Sequence, residues 1–381
     1  MEFYRPTVAE IDAQALAQNV AEVRARIPAH AGICAMVKAD AYGHGAVAIA
    51  TQLAAVGIAA FGVATVEEGM ELRAAGIGQP ILVMGGLMAQ GAAAAAAIAE
   101  QGLTPVVHTP DAVPLLDAAA AARGVLLTVH LKIDTGMGRL GARPETLPKV
   151  CAAIRHATHL RLGGVMTHFA HAADPAVTQE QCAGFAEAVH ALEFAGEPPP
   201  IWHLANSGAI LRGIGLAVPP FATLWVRPGI MLYGAAPFPE DIGRARLRPV
   251  MHVKSRVILM KQVPAGTRVS YAGTWTAPRP SRIAVIPIGY ADGYPWLCGS
   301  RGQVLIGGAR YPIVGRVTMD FCMIDVTDGK AVAPGSEVVL LGTQGGAAIT
   351  AEELAGWAQT IPYEILTRIS KRMPRIYTNS A

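Results

Sequence analysis

The run ICAMVKADAYGHG, Ile33 to Gly45, places a lysine, Lys38, at the end of an apolar segment and follows it with Tyr42, Gly43, His44 and Gly45. An ammonium there needs a carboxylate partner or an environment that keeps it neutral, and a neutral lysine is a nucleophile toward carbonyl groups. Further polar groups follow other apolar runs. LKIDTGMGRLG carries Lys132, Asp134 and Arg139, and MTHF carries His168. HLANSG carries His203, Asn206, Ser207 and Gly208, and VRPGI carries Arg227, Gly229 and Ile230. Ser207-Gly208 and Gly229-Ile230 can offer a hydroxyl and backbone N–H groups to an anion, because glycine permits close approach. Taken singly, each has an ordinary reading: a paired surface lysine, a core histidine, a Ser-Gly turn, an Asp–Lys ion pair. They carry weight only if the fold brings them to one place.

The elements that would do so are legible as apolar runs. Eight of them, Ile33–Lys38, Ile58–Ala64, Pro80–Met84, Leu103–Val107, Val125–Ile133, Leu162–His168, Ile201–Leu204 and Ala222–Val226, alternate with segments rich in Ala, Glu, Leu and Gln, such as 65–75, 87–101 and 177–195. After Asp12, which suits an N-cap, Leu16, Val20, Val23 and Ile27 mark one helical face. Eight strand–helix units over roughly 225 residues fit a (β/α)8 TIM barrel. An open doubly wound sheet is the rival, and no GxGxxG follows an early strand to favour its dinucleotide-binding form. Beyond Gly234 the pattern changes. Segments 250–263, 281–288, 302–315 and 336–342 are rich in Val and Ile and punctuated by Gly and Pro, and helix returns only near Ala351–Gln359. The expected organisation is an α/β barrel domain over 11–235 and a mainly-β C-terminal domain over 236–381, with residues 1–10 pairing into the latter.

In a barrel, active sites form at the carboxyl ends of the strands, and the last two βα loops often hold phosphate. The polar groups above fall at that end of five strands. A phosphate site at one side and a reactive lysine at strand one point to a single ligand spanning the mouth, pyridoxal phosphate, held by Lys38 as a Schiff base. Composition narrows the remaining classes. The net charge is only +3 and no basic run appears, so nucleic acid is not expected as a partner. No apolar segment is long enough to span a membrane. The opening MEFYRPTVAEID carries an acid at once and no long apolar core, so an export signal is not expected. The five scattered cysteines form no CxxC, which argues against a metal site or disulfides and for reduced thiols in cytoplasm.

Longer blocks carry a family resemblance: AMVKADAYGHG (35–45), KIDTGMGRLG (132–141), MTHFA (166–170), HLANSG (203–208), VRPGIMLYG (226–234), VSYAGTWTA (269–277), PIGYADGYP (287–295), GRVTMDF (315–321) and YEILTRISKRMPRIY (363–377). Over nearly its whole length the chain resembles the bacterial alanine racemases, fold-type III enzymes that use pyridoxal 5'-phosphate. The resemblance implies interconversion of L- and D-alanine by two bases, with D-alanine serving peptidoglycan. Lys38 matches the cofactor lysine and first base. Tyr271 matches the second, supplied by the other subunit of a homodimer. His168 and Arg227 match the pair that supports that tyrosine and faces the cofactor ring nitrogen. Arg139 matches a contact to cofactor and substrate carboxylate, and Lys132 a lysine often carbamylated to hold that arginine. Tyr42, Asn206, Ser207, Gly229, Ile230 and Tyr363 match the cofactor cradle. Met319 and Asp320 match residues of the second subunit beside the substrate, and Tyr290 with Tyr363 the narrow access that keeps substrates small.

Two positions depart from the common pattern. Thr318 stands where many relatives have cysteine, and Pro362 where asparagine is frequent. The alternatives are a broad-specificity amino-acid racemase, a basic amino-acid decarboxylase, and a non-enzymatic cofactor-binding barrel. Arg227 and the missing cysteine site near the C-terminus disfavour the decarboxylase, and the second domain disfavours the lone barrel.

Overall fold

The structure is a computed structural model that describes residues 4–190 and 200–378. Its first strand, β1 (Val8–Asp12), leads directly into a helix, Ala13–Arg24, capped by Asp12, whose Oδ1 accepts from the N–H groups of Gln14 and Ala15 at 2.9 and 3.1 Å. Eight parallel strands then close into a barrel: β2 (Gly32–Met36), β3 (Ala60–Val63), β4 (Ile81–Val83), β5 (Thr104–Val107), β6 (Leu127–Lys132), β7 (Leu160–Met166), β8 (Ile201–Asn206) and β9 (Thr223–Arg227). Each of the eight apolar runs supplies one strand. They read as continuous runs because barrel strands are covered on both faces.

The barrel interior is filled. Cys34, Ala60 and Leu82 are fully buried there against Met84 and Trp225. Gly32 is needed on β2, since a Cβ there would lie 2.5 Å from the Trp225 ring. A buried histidine pair links β6 to β8, His130 Nδ1 and His203 Nε2 lying 2.9 Å apart.

The remaining strands are β10 (Met251–Arg256), β11 (Leu259–Val263), β12 (Arg268–Val269), β13 (Trp275–Thr276), β14 (Ser281–Ile286), β15 (Gln303–Ile306), β16 (Ala309–Pro312), β17 (Cys322–Asp325), β18 (Glu337–Gln344), β19 (Ala347–Ile349) and β20 (Arg375–Thr378). They form a sheet in the order β16-β15-β18-β10-β1-β20, with β19 on β18, a three-stranded sheet β11-β14-β17, and the ribbon β12-β13. The first strand thus lies between β10, antiparallel, and β20, parallel.

Several expected boundaries move. Val125 and Leu126 stay exposed outside β6, because Gly124 at φ 64° and the Val125 N–H bond to Ala120 still belong to the preceding helix end. The 250–263 run is two strands: Val257 bonds Ser336 while Ile258 bonds Val285, so the chain switches sheets between them. The 302–315 run is a hairpin turning at Gly307 and Gly308, φ 61° and 79°. Helix 87–101 starts as a 3-10 turn, Met88–Gln90, before Gly91–Gln101. The 177–195 helix is observed as Pro175–His190, and 191–195 lie outside the described residues. The strand Cys322–Asp325 and the short helix Pro362–Thr367 were not expected from the sequence. All five cysteines are free, and no helix among the described residues is long and apolar enough to cross a membrane.

Candidate active site

Lys38 sits just past β2, at the start of an unusual turn. Ala39, Asp40, Ala41 and Tyr42 all have φ of 52–54°, one turn of left-handed helix in residues that carry Cβ atoms. That conformation costs roughly 1–2 kcal/mol per residue, so the surroundings must impose it. They do so from several sides. Glu68 Oε1 accepts from the Ala39 N–H at 2.7 Å, and Asp40 Oδ1 accepts from the Ala46 N–H at 2.8 Å. His44 Nδ1–H donates to the carbonyls of Ala41 and Tyr42. From β20, Arg375 donates through Nε and Nη2 to the Gly43 carbonyl at 3.0 and 2.9 Å, and Tyr377 donates to the His44 carbonyl at 3.0 Å. Gly43 admits nothing larger, because a Cβ there would stand 2.3 Å from the Leu366 oxygen.

The turn delivers Tyr42 to the far side of the mouth. Its ring stacks on Tyr233 at 4.8 Å and lies 6.1 Å from Tyr363. The Tyr42 hydroxyl hangs over Gly229, where a Cβ would come within 2.4 Å of it. Ser207 Oγ accepts from the Gly229 N–H at 2.9 Å, and Asn206 caps the helix Ser207–Arg212 by accepting from Ala209 at 3.1 Å. Tyr42, Ser207, Gly229, Ile230 and Tyr363 thereby gather at one side of the mouth.

The opposite side is cationic. Lys132, only 5% exposed, ends β6, and its amine pKa is depressed to about 8 by burial and by Arg227, Arg139 and Lys38, against a small opposing pull from Asp134. Lys38 is also depressed, by burial and then Arg139, while Glu68 acts in the other direction. Arg227 is 3% exposed and donates to the carbonyls of His203, Thr167 (2.5 Å) and Leu204 (3.0 Å). Its Nη2 also lies 3.5 Å from His168 Nδ1. Burial lowers its pKa only to about 10, so it stays charged near neutrality. Burial, then Arg227, Lys132, Arg139 and Lys38, keep His168 well below the usual imidazole range. Arg139 is exposed on the loop after β6, a loop tied by Asp134 to the N–H groups of Gly136, Met137 and Gly138.

Four residues named from the sequence lie elsewhere, on an exposed rim of the C-terminal domain. Tyr271 is 72% exposed beside the β12–β13 ribbon, between Ser270 and Ala272, both at positive φ (67° and 60°). Tyr290 and Met319 are joined through their loops, Tyr290 N–H bonding Thr318 and Ala291 N–H bonding Met319. Asp320 pairs with Arg372 at 2.7 Å. The charged groups acting on Lys38, Arg139 and Glu68, both come from the barrel. The departures at 318 and 362 are locally benign. Thr318 exchanges hydrogen bonds with Phe321 inside its own turn, and Pro362 opens the helix Pro362–Thr367, where a missing N–H costs nothing.

Sequence reasoning missed Glu68, His44 and Arg375. Only Glu68 had a local signal, the Thr65-x-x-Glu68 capping box.

A lysine-bearing barrel mouth with Tyr42, Ser207, Gly229 and Tyr363 gathered on one side, joined to a mainly-β domain, defines a two-domain barrel class. Family profiles for the alanine racemase N-terminal and C-terminal domains match residues 11–237 and 250–377. An alanine racemase of Geobacter sulfurreducens is 44% identical over 381 residues, covering 98% of both chains. The crystal structure of alanine racemase from D-cycloserine-producing Streptomyces lavendulae superposes with a TM-score of 0.91 at 35% identity, covering 100% of this chain and 99% of that one. The Bartonella henselae alanine racemase, solved with covalently bound pyridoxal phosphate, gives a TM-score of 0.85 at 29% identity over 98% of this chain and 99% of that one. The chain belongs to the alanine racemase family.

Proposed function

We propose that the protein interconverts L- and D-alanine, using pyridoxal phosphate at the barrel mouth and Tyr271 of the partner subunit as second base, and that it serves D-alanine supply for peptidoglycan. The observation that carries this reading is the excess of cations around Lys38. Lys38, Lys132, Arg139 and Arg227 act on one another or on shared neighbours, with Glu68 and Asp134 the opposing carboxylates named above. Such a cluster is relieved by an anionic ligand. The residues fit this cofactor: a depressed amine for its aldehyde, and Tyr42, Ser207, Gly229, Ile230 and Tyr363 for its phosphate, at a cradle that a side chain at 229 would fill.

Bound through its aldehyde to an amine, the cofactor withdraws electrons from the α-carbon and makes its proton acidic. The protein's part is proton control. Lys38, desolvated and depressed, can take or return a proton at its Nζ on one face of the substrate carbon. Racemisation needs a second group on the other face, and the Tyr271 hydroxyl is given that role. His168 Nδ1 faces the Arg227 guanidinium and so accepts from it, which leaves Nε2–H as a donor. A donor directed at the phenol favours the phenolate. Arg227, fixed by three carbonyls and charged at neutral pH, holds its protons too tightly to transfer one to a ring nitrogen, which disfavours proton return at the wrong carbon. Arg139 would bind the substrate carboxylate, and a carbamate on Lys132 would give it an anion to lean on. Met319, Asp320 and Tyr290 of the partner subunit would close the site, with Tyr290 and Tyr363 limiting substrate size.

The test is incubation of the purified protein with L-alanine, with and without added pyridoxal phosphate. D-alanine should accumulate toward equality with the L-isomer only when the cofactor is present. Carbon dioxide release without D-alanine would overturn the reading in favour of a decarboxylase, and equal rates on larger amino acids would favour broad specificity.

A further inference from the structure

We propose that Glu68 is the positioning residue of Lys38, gripping the left-handed turn immediately behind the lysine and holding a carboxylate against the turn's first amide. The proposal deepens the reading above, in which Lys38 is the reacting amine.

Three backbone N–H groups converge on this one carboxylate. Oε1 accepts from Ala39 at 2.7 Å. Oε2 accepts from Ala64 at 2.6 Å and from Thr65 at 3.3 Å. The Glu68 N–H is bound by Thr65 Oγ1 at 3.3 Å, completing a capping box at the start of the helix Val66–Ala74. A glutamate that only caps its helix needs only its own N-cap N–H. Here the second oxygen reaches a segment 29 residues earlier and takes the first amide of the strained turn, next to Lys38. Both oxygens are engaged by donors, so an amide, with one acceptor atom, cannot replace the carboxylate.

The charge matters as much as the grip. Arg139 from the loop after β6 lowers the Lys38 pKa, Lys38 itself bears on Lys132 and on His168 from β6 and the end of β7, and Glu68 is the carboxylate that raises it. Asp40, the carboxylate within the turn, bonds the Ala46 N–H instead. Glu68 therefore counters the cationic crowd and keeps the amine's proton affinity from falling further.

The experiment uses full-length protein stripped of cofactor with hydroxylamine. The Lys38 amine pKa is read by competitive labelling with acetic anhydride, and the segment 38–43 by hydrogen exchange. Glu68→Gln should lower the Lys38 pKa by about half a unit to one unit and speed exchange across 38–43. Glu68→Asp, which keeps charge but shortens the reach, should speed that exchange about tenfold while moving the pKa by less than half as much. Thr65→Ala, which damages only the cap, should leave both readouts unchanged. An unaltered Lys38 pKa in Glu68→Gln, or faster exchange confined to 65–74 in Glu68→Asp, would overturn the proposal. If Glu68→Gln fails to fold, the Glu68→Asp exchange map decides. Wild-type protein that shows no lysine-bound absorbance with added pyridoxal phosphate would instead count against the cofactor reading, and the amine titration would still judge Glu68.

Discussion

The surroundings of Lys38 and of Tyr271 are built on opposite plans. Both hold non-glycine residues at positive φ, four after the lysine and one on each side of the tyrosine. Around Lys38 the strain is absorbed by His44 from within the same loop and by a carboxylate, an arginine and a tyrosine reaching in from distant segments. Tyr271 stands mostly in solvent, with Ser270 Oγ bonded to the Arg316 carbonyl as a local brace. Its wider neighbourhood leaves Tyr290, Trp296, Met319, Phe321 and Ile361 exposed as well. A concentration of exposed aromatic and aliphatic side chains marks a contact surface. The lysine half is finished within one chain, whereas the tyrosine half is presented outward, as the proposed dimer requires.

The sharpest way to break this contrast is at the lysine. Lys38→Ala should reduce racemisation by about 10^3-fold or more and abolish the visible absorbance of lysine-bound cofactor; an unchanged spectrum would mean another amine holds it. Tyr271→Phe should slow exchange of the α-hydrogen with deuterated solvent by about 10^2-fold or more for one enantiomer of alanine and far less for the other. Because the side chain is exposed, its melting temperature should barely move. Equal loss for both enantiomers would undo the two-base assignment.

Arg375→Met should show the reverse profile. It removes donors to the Gly43, Ser370, Met373 and Ile369 carbonyls, so stability should fall by about 3 kcal/mol and cofactor affinity should weaken with it. A stable variant with unaltered affinity would show that the turn holds its own shape. A pH effect tests the same half. His44, His108 and His130 are each depressed from 6.5 to about 4, chiefly by burial. The unfolded chain takes up these protons first, so stability is fully present above about pH 6.5 and is lost as pH falls toward 4. For each fully buried group the loss is about 1.4 kcal/mol per unit. Thermal unfolding midpoints that stay level from pH 7 to 5 would contradict it. On the rim, Arg372→Ala removes an exposed pair with Asp320 and a longer 3.6 Å contact to the buried Asp292; because Arg5 still holds Asp292 at 2.7 Å, the cost in chemical denaturation should stay at about 1 kcal/mol.

The barrel was readable because its strands are short, doubly covered and therefore apolar throughout. Lys38, Lys132, His168, Ser207 and Arg227 could be singled out because strand ends are where such a fold concentrates polar groups. The left-handed turn could not be read. Of Ala39, Asp40, Ala41 and Tyr42 only the aspartate has any local tendency toward that conformation, so contacts from elsewhere enforce it. Sheet order in the C-terminal domain was equally hidden, since the switch between Val257 and Ile258 depends on partners at 336 and 285. The role given to Tyr271 came from resemblance, not from any feature of its own neighbourhood in sequence, and its exposed setting was not read at all.

The bond from Arg375 to the Gly43 carbonyl joins residues 332 positions apart. A ribosome adding about 5–20 residues per second makes the lysine's turn early and its far grip some twenty seconds to a minute later. During synthesis the barrel strands emerge first, yet the segment that will trap an aldehyde is the last part of the mouth to be secured. Nascent chains that stop short of Arg375 would thus leave the lysine's turn unsecured, and capture of the proposed cofactor would report that translation has passed that residue.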